Sequence, residues 1–137
     1  MLELEPYLHF DGTCEEALNF YKGIFGGEIT SLERYAGSPM ESEIPDFYRN
    51  KVMHANFKAG PLKLMGSDGS PRGGEGTRVS LALGGDDPDE GKRIFDALAD
   101  GGKVDMPFQD TFWGAKFGML TDKYGIYWMI NIEVRPG

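Results

Sequence analysis

A chain of 137 residues fits one domain, or two small halves sharing one core, and at this size folding buries roughly two-thirds of the unfolded surface. Its 22 acidic and 14 scattered basic residues leave a formal charge of -8, which argues against nucleic acid, because phosphate neutralisation needs a clustered excess of Lys and Arg. The single cysteine, Cys14, allows no internal disulfide and suits a reducing compartment; MLELEPYLHF lacks a signal peptide's basic start, and no apolar run approaches spanning length, so no membrane association and a cytoplasmic location are expected.

Tyr7 to Phe10 predict a short strand, with Glu5, Tyr7 and His9 on one parity and Leu8 and Phe10 on the other. Thr13-Cys14-Glu15-Glu16 matches a capping box, in which hydroxyl and carboxylate satisfy helix donors reciprocally, so a helix is expected from here. Ala17, Leu18, Tyr21, Ile24 and Phe25 recur at helical spacing, Gly26-Gly27 offers a left-handed stop, and Glu28-Ile29-Thr30 resumes extended structure. Tyr35 to Asn50, with two prolines and three acids, has no clear period and reads as a long connection within the first half, placed to cover a cavity or reach a second subunit. Strands are expected at Lys51 to Lys58 and Leu62 to Met65, and the Gly-rich Pro71 to Gly76 reads as a loop.

The second half repeats the device. Arg78 to Leu83 alternate as a strand; Asp87, Pro88 at the first helical position and Glu90 three residues after the cap signal a helix start. Ile94, Phe95 and Leu98 supply the buried stripe, Gly101-Gly102 the stop and Lys103-Val104 the next strand, so FGGEI and DGGKV are counterparts. Strands follow at Ala115 to Leu120 and Ile126 to Ile132. Two copies of a strand, a helix and three strands predict an α+β fold of two such modules, about 1–70 and about 77–137, whose pairing closes the open sheet faces into a cavity within a single domain.

The segments PYLHFDGTCEEALNFYKGIFGGEI and DTFWGAKFGMLTDKYGIYWMIN, with HANFKAGPLKLMGSD and LADGGKVDMPFQD between them, resemble the PhnB-like branch of the vicinal oxygen chelate superfamily, which includes glyoxalases, bleomycin-resistance proteins and dioxygenases. The resemblance covers nearly the whole chain. It implies paired βαβββ modules, a deep half-barrel and a homodimer, and members of the branch often carry a methyltransferase label. No glycine-rich turn between the strand and helix of a Rossmann-like unit, followed by an acidic ribose partner, supports a nucleotide-type cofactor, and none is expected.

Catalytic members of the superfamily hold a divalent metal with His, Gln or Glu, one from the first strand of each half and one from the last. Here Glu5 matches the first position, but the second half offers Arg78 and Ser80, and the closing strand puts Met129 where a carboxylate is usual, with its first-half partner at about Leu64 or Met65. Thioethers favour copper(I) and an arginine repels cations. No metal site is therefore expected; the alternative is a metal-dependent lyase or dioxygenase with Glu5 and His9 among its ligands.

His9 is the candidate general base, against a reading in which its imidazole only shapes the pocket; the same choice stands for His54. Arg78 suits a carboxylate or phosphonate through bidentate hydrogen bonds, or else pairs structurally with Glu5. Tyr7, Phe112, Trp113, Phe117 and Tyr127 supply an apolar wall that serves a pocket or ordinary packing equally well; Trp113, before Gly114, falls on a candidate lid loop, while parity sets Tyr127 and Met129 opposite a core Trp128. Cys14, in a first helical turn, is read as a packed thiol in preference to one activated by the helix dipole. The expected function is small-molecule binding in a cavity lined by Tyr7, His9, Arg78, Trp113, Tyr127 and Met129. A resistance-type protein that sequesters an aromatic or cationic drug is the further alternative.

Overall fold

The computed structural model describes residues 4–39, 41–69, 79–111 and 114–133, and the chain divides into two compact units, Met1–Gly73 and Gly74–Gly137. Arg78, Phe112, Trp113 and the 71–76 loop lie outside the described residues.

The first unit runs β1 (Tyr7–Phe10), α1 (Cys14–Phe25), β2 (Glu28–Arg34), β3 (Val52–Ala59) and β4 (Leu62–Asp68), in a sheet of order β1-β4-β3-β2. β1 pairs parallel with β4, and the other pairs are antiparallel. The second unit repeats this with β5 (Leu81–Gly85), α2 (Pro88–Ala99), β6 (Lys103–Asp110), β7 (Ala115–Thr121) and β8 (Tyr127–Glu133), in the order β5-β8-β7-β6. Each unit is thus one βαβββ module, and the fold is α+β as the repeat predicts. A register shift stands at the same place in both copies, between Ile29 and Ser31 against β3 and between Val104 and Met106 against β7. That irregularity aligns the copies residue by residue: Tyr7 with Ala82, Met65 with Met129, Asn56 with Met119, Ser31 with Met106.

One face of each sheet is covered by its helix. Leu8, Phe10, Ala55, Phe57 and Leu64 are buried with Ala17, Leu18, Tyr21 and Ile24 of α1; Trp128, Ile130, Ile132 and Leu120 are buried with Phe95 and Leu98 of α2. Ile94, expected in the buried stripe, is only half-buried, and Gly91 takes a buried place because α2 crosses Ile132 there: a Cβ at Gly91 would lie 2.5 Å from Ile132 Cγ1. Gly118 on β7 is needed for the same reason, with Phe95 and the backbone of Phe108 inside 3 Å of its missing Cβ.

The helix starts correct one expectation. Asp87 caps α2 locally, its Oδ1 accepting from the N–H groups of Asp89 (3.0 Å) and Glu90 (3.3 Å). Thr13 makes no such bond, and its backbone sits at φ -114°, ψ 13°. Asp68, at the far end of β4, caps α1 instead: Oδ1 accepts from Gly12 N–H (2.9 Å) and Cys14 N–H (2.8 Å), and Oδ2 from Val52 N–H (2.9 Å). A fixed carboxylate stabilises the helix N-terminus through the dipole as well as the bonds, so the local capping box is redundant. Gly26, at φ 77°, ends α1 in the left-handed region with its N–H bonded to Lys22 O, as the glycine pair predicts.

The strands differ from expectation at their ends. The second half's first strand begins at Leu81, three residues after Arg78, and β4 continues three residues past Met65 to Asp68, because that end is pinned by the three N–H groups above. Residues 35–50 contain two 3-10 turns, Glu41–Glu43 and Asp46–Tyr48, and fold back on their own unit: Tyr35 O–H donates to Asp68 O (2.7 Å) and Tyr48 O–H to Asp11 Oδ1 (2.8 Å). No helix among the described residues is long and apolar enough to cross a membrane.

Candidate functional site

Alternation along the strands leaves each sheet a second face, turned away from its helix. On the first sheet one row across this face is Tyr7, Met65, Asn56 and Ser31 in register; beside it His9 pairs with Ser67, and His54 with Glu33. Tyr7 and His9 are exposed while Leu8 and Phe10 are buried, as the parity of the strand predicts; Glu5 is half-buried and precedes the strand.

The centre of this face is a cluster of three rings. Tyr7 Oη lies 3.2 Å from His54 Nδ1; the Tyr7 ring centroid is 5.0 Å from that of His9 and 5.7 Å from that of His54. His54, a secondary candidate on sequence alone, is therefore part of the same group as Tyr7 and His9. Alternate spacing with Asn56 was the available signal; its partner across two strands depended on register. Asn56 Nδ2 in turn donates to Ser31 Oγ at 2.7 Å, which fixes its amide.

On the second sheet the matching row is Ala82, Met129, Met119 and Met106, followed by Gly84, Asn131, Phe117 and Gln109. Tyr127 and Met129 are half-buried on the side opposite the fully buried Trp128, as expected. Asp122 holds that strand's start: its carboxylate accepts from Tyr124 and Ile126 N–H and from Trp128 Nε1–H (2.8 Å). Beside it a cleft of about 710 Å³ is lined by Tyr127, Met119, Thr121, Lys103 and Asp105 among others. Tyr7 and His9 thus come together in the first unit, Tyr127 and Met129 in the second.

The metal expectation can be set against donor chemistry. The positions at issue carry Glu5, Ser80, Met129 and, by the aligned register, Met65. Two thioethers, a serine and one carboxylate do not fit a divalent ion that wants oxygen or imidazole nitrogen. Among the described residues no three His, Cys, Asp or Glu side chains come together to hold a metal ion.

Cys14 is the first residue of α1 and is fully buried. Burial first, then the negative charges of Asp68 and Glu15, push its thiol up to about 12, overriding any depression by the helix dipole. It is a packing residue. Tyr35 and Tyr48 are likewise raised, in each case chiefly by burial.

This geometry has counterparts among known proteins. The profile of the 3-demethylubiquinone-9 3-methyltransferase family matches residues 3–131. Protein PA1353 from Pseudomonas aeruginosa is 40% identical, with a TM-score of 0.85 over 98% of this chain and 100% of its own. The PhnB protein from Bacillus cereus is 30% identical, with a TM-score of 0.79 over 96% of this chain and 99% of its own. A glyoxalase/bleomycin resistance protein/dioxygenase family enzyme from Burkholderia phytofirmans shares the fold, with a TM-score of 0.62 at 15% identity over 93% of this chain and 97% of its own.

Proposed function

Because the chain belongs to the 3-demethylubiquinone-9 3-methyltransferase family, in its PhnB-like branch and with the glyoxalase-type fold, we propose that it is a small-molecule-binding protein whose ligand lies on the open sheet faces and is held without a metal ion. The observation that carries this reading is the row Met129, Met119 and Met106 beside Phe117 on the second sheet. Three flexible, polarisable side chains in cross-strand contact make an apolar floor that adapts to different shapes, and Met106 keeps 42% of its surface exposed. Tyr7 and His9 are the proposed ligand-lining residues of the first unit, and Arg78, Trp113, Tyr127 and Met129 those of the second; His9 is the group proposed to exchange a proton with a bound compound. The protein acts as a homodimer in this reading.

Neither helix start favours a methyl donor of nucleotide type. The Cys14 N–H that opens α1 is engaged by Asp68, and the Asp89 and Glu90 N–H groups of α2 by Asp87, so both N-termini already carry a carboxylate where such cofactors usually place an anionic or ribose group. The donor set at the superfamily's ligand positions supports a metal-free reading over a metal-dependent one with Glu5 and His9 among the ligands, so no step is routed through a metal.

A thermal-shift panel of aromatic cations, small carboxylates and phosphonates tests the proposal, since a ligand that binds only the folded state raises its melting temperature. At least one class is expected to stabilise the wild type, and Met119→Glu, which puts a charge into the apolar row, is expected to abolish the shift. Stabilisation by none of the compounds, or an undiminished shift in Met119→Glu for a compound that binds on the methionine row, would contradict the proposal.

A further inference from the structure

The ring cluster on the first sheet has a property that follows from proton counting. Tyr7 Oη and His54 Nδ1, 3.2 Å apart, share one hydrogen bond. With a neutral imidazole there are two arrangements. Either Tyr7 O–H donates to Nδ1 and the outward Nε2 carries the second proton, or Nδ1–H donates to Oη and the tyrosine O–H is released outward. Each arrangement leaves the pair one outward donor. When His54 is protonated, Nδ1–H must donate to Oη, which leaves the Tyr7 O–H directed outward with a positive charge behind it, while Nε2–H, on the far side of the ring, points away from Tyr7. The His9 ring, 5.0 Å from Tyr7, borders the same spot with a further N–H.

We infer that Tyr7 and His54 act as one proton-switched unit, in which protonated His54 holds the Tyr7 O–H outward to donate to the acceptor oxygen of a small planar compound, a carboxylate or enolate, with the ring of His9 alongside. This rests on reading the open faces as ligand-binding, and it adds a chemical class and assigns His54 to the binding set. The charged and titratable groups on this face are few. Glu33 of β2 is directly opposite His54; Glu28, Lys58 and Lys63 meet at the other end of the ladder; Glu5 precedes β1; and Tyr35 lies near Tyr7. The carboxylates of Glu33 and Glu5 oppose an anion, so the neutral pair binds it weakly. A Tyr7 O–H held outward with the imidazolium charge behind it is what favours the anion.

The test is a titration of the wild type, Tyr7→Phe and His54→Gln with benzoate, benzyl alcohol and benzylammonium, following the imidazole nitrogens by NMR at about pH 6 and about pH 8, on either side of the range in which imidazole changes charge. Benzoate is expected to perturb His9 and His54 and to bind about tenfold more tightly at the lower pH, as a charge-assisted hydrogen bond gained there implies. His54→Gln, which has no proton to gain, and Tyr7→Phe are expected to lose that difference while melting within a few degrees of the wild type. Preference for benzylammonium, or benzoate binding that is equal at both pH values or undiminished in His54→Gln, would overturn the assignment and leave the broader reading standing. If none of the three probes perturbs either open face, both fall together.

Discussion

Tyr7, Met65, Asn56 and Ser31 cross the open face of the first sheet where Ala82, Met129, Met119 and Met106 cross that of the second, and His9 and Ser67 stand where Gly84 and Asn131 do. The helix-covered faces, by contrast, match in kind: Leu8 with Leu83, Phe57 with Leu120, Leu64 with Trp128. Alternation along a strand separates the two demands, so the face under the helix answers to packing while the other is available for different chemistry in each copy. One copy carries the imidazoles; the other carries three of the four thioethers in these rows. The same division runs through the helix starts, where Asp68 caps α1 from a distant strand, while its counterpart Ile132 packs on Gly91 and leaves α2 to its own Asp87.

The helix starts offer the largest effect. Asp68→Ala leaves three N–H groups without their acceptor in a buried place, and a loss of roughly 3 kcal/mol or more is expected in urea denaturation. Asp87→Ala, an exposed local cap, is expected to cost about 1 kcal/mol; equal losses would break the contrast. Gly91→Ala drives a methyl group against Ile132 and is expected to cost about 1–3 kcal/mol, partly restored when Ile132→Val is added in a double-mutant cycle.

An alkaline effect belongs to the first unit. The Cys14 thiol is raised on folding from 9.0 to about 12, so the stability it contributes is fully present below about pH 9 and is lost as pH rises towards 12. Tyr35 and Tyr48 act in the same direction. Denaturation midpoints at rising pH are expected to fall more steeply in the wild type than in Cys14→Ala, and the folded protein's thiol is expected to resist alkylation near neutral pH. The smallest effect is a gain: Gly23, inside α1, has open space for 4 Å around the point where a Cβ would stand, so Gly23→Ala is expected to stabilise by up to about 1 kcal/mol.

Much of this plan is legible in the chain because its signals are local. Asp87-Pro88 and the glycine pairs mark helix ends from neighbouring residues alone, and strand parity places Tyr7 and His9 together and Trp128 opposite Tyr127 and Met129. What the chain hides depends on partners far away in sequence. Thr13 has the right neighbours for a cap yet yields to Asp68, more than fifty residues on. His54 becomes the partner of Tyr7 only through the register of three strands, and the methionine row forms only once β6, β7 and β8 are aligned. The positions of Arg78 and Trp113 fall outside the described residues.

The most direct test of ligand binding on the open faces is methyl NMR of protein labelled at methionine, titrated with whichever compound raises the melting temperature most. Saturable shifts of the Met106, Met119 and Met129 methyl signals are predicted, with Met119→Glu removing both the shifts and the stabilisation. A stabilising compound that leaves these three signals and the His9 and His54 rings all unmoved would contradict the account.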